Sequence, residues 1–284
     1  MQKETKYEEL LRAIEQNDVV VEKEIHGFQF VDIDIVVPHV FILLCLRGSA
    51  RTMYDMQPEE IVPNSMDVVL PGHVLRQIDC SDDFMYARVS ISKDIYEELK
   101  LHAFSHESEK FNHAPNCRLT DLQAKRVMAL VELLGAIASH DFSDLPLRRT
   151  MLLSHLAVGL EFINYYRREQ DQHWKQGSTS TVYAEFCDLV VRHHTENRNV
   201  NFYAEKLGYD PRYFSKLFRQ LSNGMSPLAW IQQYVATQAK RMMDKNPQAK
   251  IKEVAFQLGF PNTADFCRYF KRATGIYPQA YRRS

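Results

Sequence analysis

Four side chains of one predicted helix, Arg212, Ser215, Lys216 and Arg219, fall on one face at helical spacing. Phe214, Leu217, Phe218 and Leu221 fall on the other. A guanidinium or ammonium held on such a face can bond to guanine edges in a duplex groove and can neutralise phosphate. The pattern returns further along. Arg268, Lys271 and Arg272, with Asp265, lie opposite Phe266, Tyr269, Phe270 and Ala273. The apolar faces must bury, so the basic faces must point outward. A single lysine or arginine on a helix is usually plain solvated surface. Its recurrence on equivalent faces of two helices makes it informative. The phenylalanines are read as core and not as platforms for stacking bases.

Other chemistries find little support. No Ser/His/Asp or Cys/His arrangement is legible. His26, His39 and His73 are isolated, without the His-x-His and following Glu that a metal-binding barrel needs. His39 follows Pro38 and His73 follows Gly72, so both fit turns or strand ends. His193 and His194 sit near a helix end, where a surface histidine meets the dipole favourably, and carry no assigned chemistry. Cys45, Cys80, Cys117, Cys187 and Cys267 are odd in number and scattered, which argues against disulfides or structural zinc and for a reducing cytoplasm. The expectation is a protein that is not an enzyme, with no metal and no cofactor.

The elements that position the basic faces are duplicated. Ala204, Leu207, Gly208 and Tyr209 match Ala255, Leu258, Gly259 and Phe260 at an offset of 51, as do Gly224 and Pro227 with Gly275 and Pro278. Phe214, Leu217 and Phe218 match Phe266, Tyr269 and Phe270 at an offset of 52. Each copy therefore reads as helix, turn, helix. Asn199-Val200-Asn201 offers N-caps for a first helix ending at Leu207, and Gly208 suits a left-handed C-cap. Asp210-Pro211 then starts the outer helix with a capping acceptor and a proline at its first position. In the second copy Asn262 caps, with Asp265 completing a partial capping box. Ser226-Pro227 opens a long helix to about Lys245 that joins the copies. Its roughly 28 Å is close to the roughly 34 Å of one turn of B-DNA.

This stretch resembles the DNA-binding domain of AraC/XylS-type bacterial transcription regulators. The resemblance covers residues 181–284 and rests on several motifs. They are the A-x-x-L-G-[FY] turn in both copies, the F-x-x-x-F spacing, the G-x-x-P ends and the closing Pro278-Gln279-Ala280-Tyr281-Arg282. It implies that Arg212, Ser215 and Lys216 read bases from the first copy, and Thr263, Ala264, Cys267 and Arg268 from the second. By side-chain chemistry Lys216 and Arg268 suit guanine best, with Arg212 as a third. Ala264 and Cys267 offer apolar contact only. Arg219, Lys271, Arg282 and Arg283 suit phosphate. The partners implied are the major groove of double-stranded DNA, a second copy of the chain, a small-molecule effector and RNA polymerase, with no membrane.

Charge divides the chain in the same place. Residues 181–284 hold 16 Lys and Arg against 8 Asp and Glu, net +8, and the rest holds 19 against 28, net −9. A length of 284 residues has room for two domains. The N-terminus lacks a signal peptide's apolar region, and the longest apolar run, Val40 to Leu46, is too short to cross a bilayer. A short helix is expected at 5–16, with Tyr7, Leu10, Leu11 and Ile14 on one face. Strands follow. Val31, Ile33, Ile35 and Val37 alternate with Asp32 and Asp34, Phe41 to Leu46 reads as a central strand, and Met66 to Leu70 lies between turns. Met85, Ala87, Val89 and Ile91 alternate with Tyr86, Arg88 and Ser90.

Two helical stripes come next, Val127/Leu130/Val131/Leu134/Ile137/Ala138 and Leu152/Leu156/Gly159/Ile163/Tyr166, joined by a polar turn at His140 to Pro146. These stripes either pack on the strands or form a dimer interface. The expected organisation is α+β in two domains. Residues 1–170 form a small β-barrel with a helical hairpin at 119–170, 171–180 form a linker, and 181–284 form an all-α domain with two helix-turn-helix motifs. Regulators of the type resembled often carry a cupin-like sensor barrel followed by a dimerisation segment, and residues 19–170 look like that arrangement. The function expected is a cytoplasmic, sequence-specific transcription regulator controlled by an effector. Alternatives are a barrel that only dimerises, or a cupin-type enzyme with a DNA-binding tail.

Overall fold

The computed structural model describes residues 2–28, 33–102, 116–139, 147–171, 180–222 and 224–283. The chain divides into two compact units, Met1–Ile33 with Val37–Ser178, and Asp34–Val36 with Thr179–Ser284. In chain order the first elements are α1 (Gln2–Asn17), β1 (Val19–His26), β2 (Ile35–Val36), β3 (Val40–Arg47), β4 (Ala50–Tyr54) and β5 (Gln57–Ile61). Then come β6 (Ser65–Val69), β7 (Val74–Cys80), β8 (Met85–Ile91), α2 (Lys93–His102), β9 (Asn116–Arg118), α3 (Asp121–Ala138) and α4 (Arg148–Asp171). The chain finishes with α5 (Ser180–His193), α6 (Val200–Lys206), α7 (Pro211–Leu221), α8 (Pro227–Lys245), α9 (Ile251–Gln257), α10 (Thr263–Thr274) and α11 (Pro278–Tyr281). No helix among the described residues is long and apolar enough to cross a membrane.

The strands of the first unit form two open sheets, in the orders β1-β8-β3-β6-β9 and β7-β4-β5, so the expected barrel is not closed. The α+β class is as expected. The apolar run Phe41 to Leu46 lies in β3, the middle strand of the larger sheet, where both neighbours are antiparallel. The strand expected over 31–37 is shorter: only Ile35–Val36 is extended, and Val31 and Asp32 lie outside the described residues. Tight turns at Asp55-Met56 and Asn64 take positive φ, where Asn and Asp tolerate the left-handed conformation that most side chains resist.

Strand β8 shows what the alternation could not decide. Ala87, Val89 and Ile91 join a core with Val127, Val131 and Leu134 of α3 and Leu152, Leu156 and Ile163 of α4. The opposite face, read as the polar one, is also buried: Tyr86, Arg88 and Ser90 are at most 7% exposed. The larger sheet is thus covered on one face by the hairpin and on the other by side chains shared with α1 and the smaller sheet. Arg88 survives there because its guanidinium is held by Glu22 across the β1–β8 ladder.

Helices α3 and α4 run antiparallel. Gln123 Nε2 donates to Glu169 Oε2 (3.0 Å), His155 Nε2 to the carbonyl of Leu130 (2.7 Å), and Arg148 Nη2 to that of Ala138 (3.1 Å). Thr120 and Gln123 close a reciprocal capping box at the start of α3. The stripes singled out in the sequence therefore pack on the sheet. A second set of apolar side chains on the same helices faces water: Leu122, Leu133, Val158, Phe162 and Tyr165. The polar turn at His140 to Pro146 and residues 172–179 of the expected linker lie outside the described residues.

From Ser180 onward every element is helical. Phe186 of α5 is completely buried, with ring centroids 4.6–5.6 Å from Tyr203, Phe214, Phe218 and Trp230. It ties α5, α6, α7 and α8 into one aromatic core. Trp230 Nε1 donates to Tyr183 Oη at 2.8 Å, so the buried indole keeps its hydrogen bond. The second copy builds a parallel core from Phe260, Phe266, Phe270 and Tyr281.

Candidate functional site

The first basic face is built as its local sequence dictates. Asp210 caps α7, accepting from the N–H groups of Arg212 (2.9 Å) and Tyr213 (3.0 Å), and Pro211 occupies the first turn. Phe214 and Phe218 are fully buried, with Leu217 and Leu221 half-buried beside them. That orientation leaves Arg212, Lys216 and Arg219 exposed. Among the described residues no hydrogen bond or ion pair holds the head groups of Arg212 or Lys216. Ser215 is half-buried, and its hydroxyl already donates to the carbonyl of Pro211 at 2.8 Å. Tyr213, which the sequence reading passed over, is 58% exposed beside them and stacks on Tyr209. Its i−1 relation to Phe214 was the available indication.

The second face has the same frame and a different surface. Asn262 caps α10 through its side-chain oxygen on the Asp265 N–H, 2.8 Å. The reciprocal half expected of Asp265 takes another form: its carboxylate accepts from the Asn262 side-chain amide (2.8 Å) and from Arg268. Those two partners hold the Asp265 carboxyl below its ordinary range, the Arg268 bond first. Arg268 is exposed but engaged. Thr263 is half-buried and Ala264 exposed. Cys267 is half-buried, and burial pushes its thiol pKa up, away from a reactive thiolate.

The residues assigned to phosphate also differ. Lys271 is exposed with its ammonium 4.3 Å from the centre of the Tyr277 ring, and Arg283 is exposed. Arg282 is half-buried, with Nε and Nη2 withdrawn from water and no hydrogen-bond partner among the described residues.

A basic residue the sequence reading missed is structural. Arg198 donates to the carbonyls of Leu258 (2.7 Å), Gly259 (2.8 Å) and His194 (3.0 Å), and its guanidinium lies 4.0 Å from the Phe260 ring centre. It bolts the turn of the second copy to the end of α5. Nothing local marked its bracing role, because Leu258 and Gly259 lie about sixty residues away. Gly259 takes φ +73° at the same place, packed against the carbonyl of Thr195. His194 is half-buried, its Nδ1 turned to the carbonyls of Val190 and Val191, and burial lowers its pKa.

In the N-terminal unit the described residues contain no group of three or more His, Cys, Asp or Glu placed to hold a metal ion. His73 is buried with Nδ1 2.6 Å from Asp55 Oδ2, and His39 Nδ1 accepts from the Lys93 N–H at 3.3 Å. A cavity lies between the two sheets, bounded by Phe28, Leu43, Tyr54 and Leu75 and by the polar side chains Glu59 and Asp67.

A family described as "Helix-turn-helix domain" matches residues 203–284. The curated relatives include the uncharacterized HTH-type transcriptional regulator YobQ of Bacillus subtilis, 33% identical over 112 residues, which cover 39% of this chain and 45% of that protein. They also include the regulatory protein PocR of Salmonella typhimurium, 30% identical over 93 residues, 33% of this chain and 30% of that one. The chain thus spans less than half the length of either. Among solved structures, unsaturated-fatty-acid-bound ToxT from Vibrio cholerae covers 93% of this chain and 94% of its own, at 14% identity and a TM-score of 0.44.

Proposed function

We propose that this chain, whose C-terminal end is a helix-turn-helix domain of AraC type, is a sequence-specific transcription regulator. The observation that carries this reading is the pair of outward basic faces on α7 and α10, set on matched buried faces. In it, α7 and α10 enter successive major grooves. Arg212, Ser215 and Lys216 read bases from the first, and Thr263, Ala264, Cys267 and Arg268 from the second. Arg219, Lys271, Arg282 and Arg283 neutralise phosphate. Sequence discrimination rests mainly on the first copy, because among the described residues the head groups of Arg212 and Lys216 have no partner while Arg268 is paired with Asp265.

The N-terminal unit dimerises through the outer face of α3 and α4 and takes a small effector in the cavity between its sheets. Two features support this. One is the set of apolar side chains Leu133, Phe162 and Tyr165 left in water on α3 and α4; the other is a partly polar cavity inside an acidic unit. Regulation through RNA polymerase belongs to the same reading.

The test is to map bound DNA across the genome of the source cell, then titrate a recovered site by fluorescence anisotropy. A shared motif with contacts about one helical turn apart supports the reading. Random recovery, or a motif indifferent to both Lys216→Ala and Arg268→Ala, sinks it.

A further inference from the structure

The cavity between the sheets is organised around carboxyl groups. Register places Glu59, Thr52 and Gln77 side by side across β5, β4 and β7, and all three line it. From the larger sheet Asp67 faces it, beside Leu43. Asp67 is 5% exposed. Its Oδ1 accepts from Asn116 Nδ2 at 3.0 Å. Its Oδ2 is buried and has no hydrogen-bond partner among the described residues. A buried carboxylate oxygen without a donor is costly, so its persistence calls for a partner.

Among the described residues no lysine, arginine or histidine lines the space. Arg88 stands one strand beyond Leu43 in the same row and is held by Glu22. Arg167 of α4 contributes some positive potential at Asp67, and Glu59 opposes it. Asp67 and Glu59 therefore both face a gap in which a single cation would offset both their desolvation and their repulsion. The rest of the wall is mostly hydrocarbon and aromatic, including Phe28, Ile61 and Leu75. The described residues gather no group of three or more His, Cys, Asp or Glu that could hold a metal ion. An organic cation needs one or two anionic acceptors and an apolar bed, and this wall supplies both.

From this we infer that the cavity binds a small organic amine, its ammonium between Asp67 and Glu59 and its apolar body against Phe28 and Leu75. The inference rests on the reading of the N-terminal unit as the effector-binding part and names its ligand class. The enclosed space is small, which favours a short-chain amine over a larger cation. Burial raises the Asp67 carboxyl to about 7 and Glu59 also upward, as expected of acids awaiting a counter-charge.

The test uses the full chain, with butylamine and benzylamine as probes and butanol and benzyl alcohol as neutral controls of the same shape. Calorimetry and thermal shift are read at pH 8. The expected result is binding of an amine at least tenfold tighter than its alcohol, lost tenfold or more in Asp67→Asn. Glu59→Gln, at a half-buried position, makes the same test if Asp67→Asn fails to fold. Amines that bind no better than alcohols, or that bind the variants as well as the wild type, overturn the inference. Operator binding is followed in the same samples. Intact DNA binding without amine binding removes the ligand class and leaves the regulator; amine binding without DNA binding does the reverse.

Discussion

Arg268 donates to Asp265 one turn earlier on α10, so this exposed guanidinium is held by its own helix. Its counterpart on α7, Lys216, and the neighbouring Arg212 are exposed, and no partner among the described residues holds their head groups. The two copies thus share a scaffold and differ in how ready their surfaces are to meet DNA. An arginine that must leave a carboxylate before it can reach a base gives back part of what it gains.

Lys216→Ala and Arg212→Ala are each expected to weaken operator binding by about 1–3 kcal/mol and relax preference at one base pair. Arg268→Ala is expected to cost less than either. Anisotropy titrations against single-base variants of the operator decide this, and an Arg268→Ala cost equal to that of Lys216→Ala refutes the attenuation by Asp265.

The two turn glycines predict unequal tolerance. Both take a left-handed φ, +76° at Gly208 and +73° at Gly259. A Cβ on Gly208 meets nothing within 4 Å, whereas on Gly259 it would lie 1.8 Å from the Thr195 carbonyl oxygen. Gly208→Ala should cost about 1–2 kcal/mol of backbone strain alone. Gly259→Ala adds a clash with main chain and should exceed about 3 kcal/mol. Thermal unfolding compares them, and equal losses would contradict the packing of the second turn on the end of α5.

Asp67 predicts a pH dependence of stability. Burial raises its carboxyl from 3.8 to about 7, so the folded protein holds a proton the unfolded chain has released. That contribution is complete below the unfolded value and is lost as pH rises through the folded one. Between pH 5 and pH 8 the wild type should therefore lose about 2–3 kcal/mol relative to Asp67→Asn, which cannot titrate. Glu59 and Arg167 modulate the same step in opposite directions. Denaturant unfolding at both pH values checks it, and a gap that does not widen with pH would show that Asp67 titrates normally.

The hairpin predicts where self-association occurs. Leu133, Phe162 and Tyr165 are 53%, 36% and 57% exposed, while the inner stripe of α3 and α4 is in the core. Leu133→Glu with Phe162→Glu should shift the full chain from dimer to monomer at micromolar concentration, with little loss of thermal stability. Sedimentation equilibrium reads the outcome. A wild type already monomeric at high micromolar concentration would remove this interface.

The sequence by itself determined the C-terminal unit almost to the residue. Helices α7, α8 and α10 begin at the predicted Asp210, Ser226 and Asn262, and α7 and α10 bury the predicted faces. Capping and the 3.6-residue period act within one or two turns of chain, so the information is local. The basic faces followed from the same period.

What surrounds those faces did not follow, because it is non-local. The period-2 pattern of β8 established two faces but not that a second sheet covers the polar one. Residues 49 positions apart in sequence had to meet for Asn116 to leave one oxygen of Asp67 unanswered, and 60 for Arg198 to brace Leu258. A strand's sequence fixes which side chains share a face; only the order of strands in the sheets decides what that face meets.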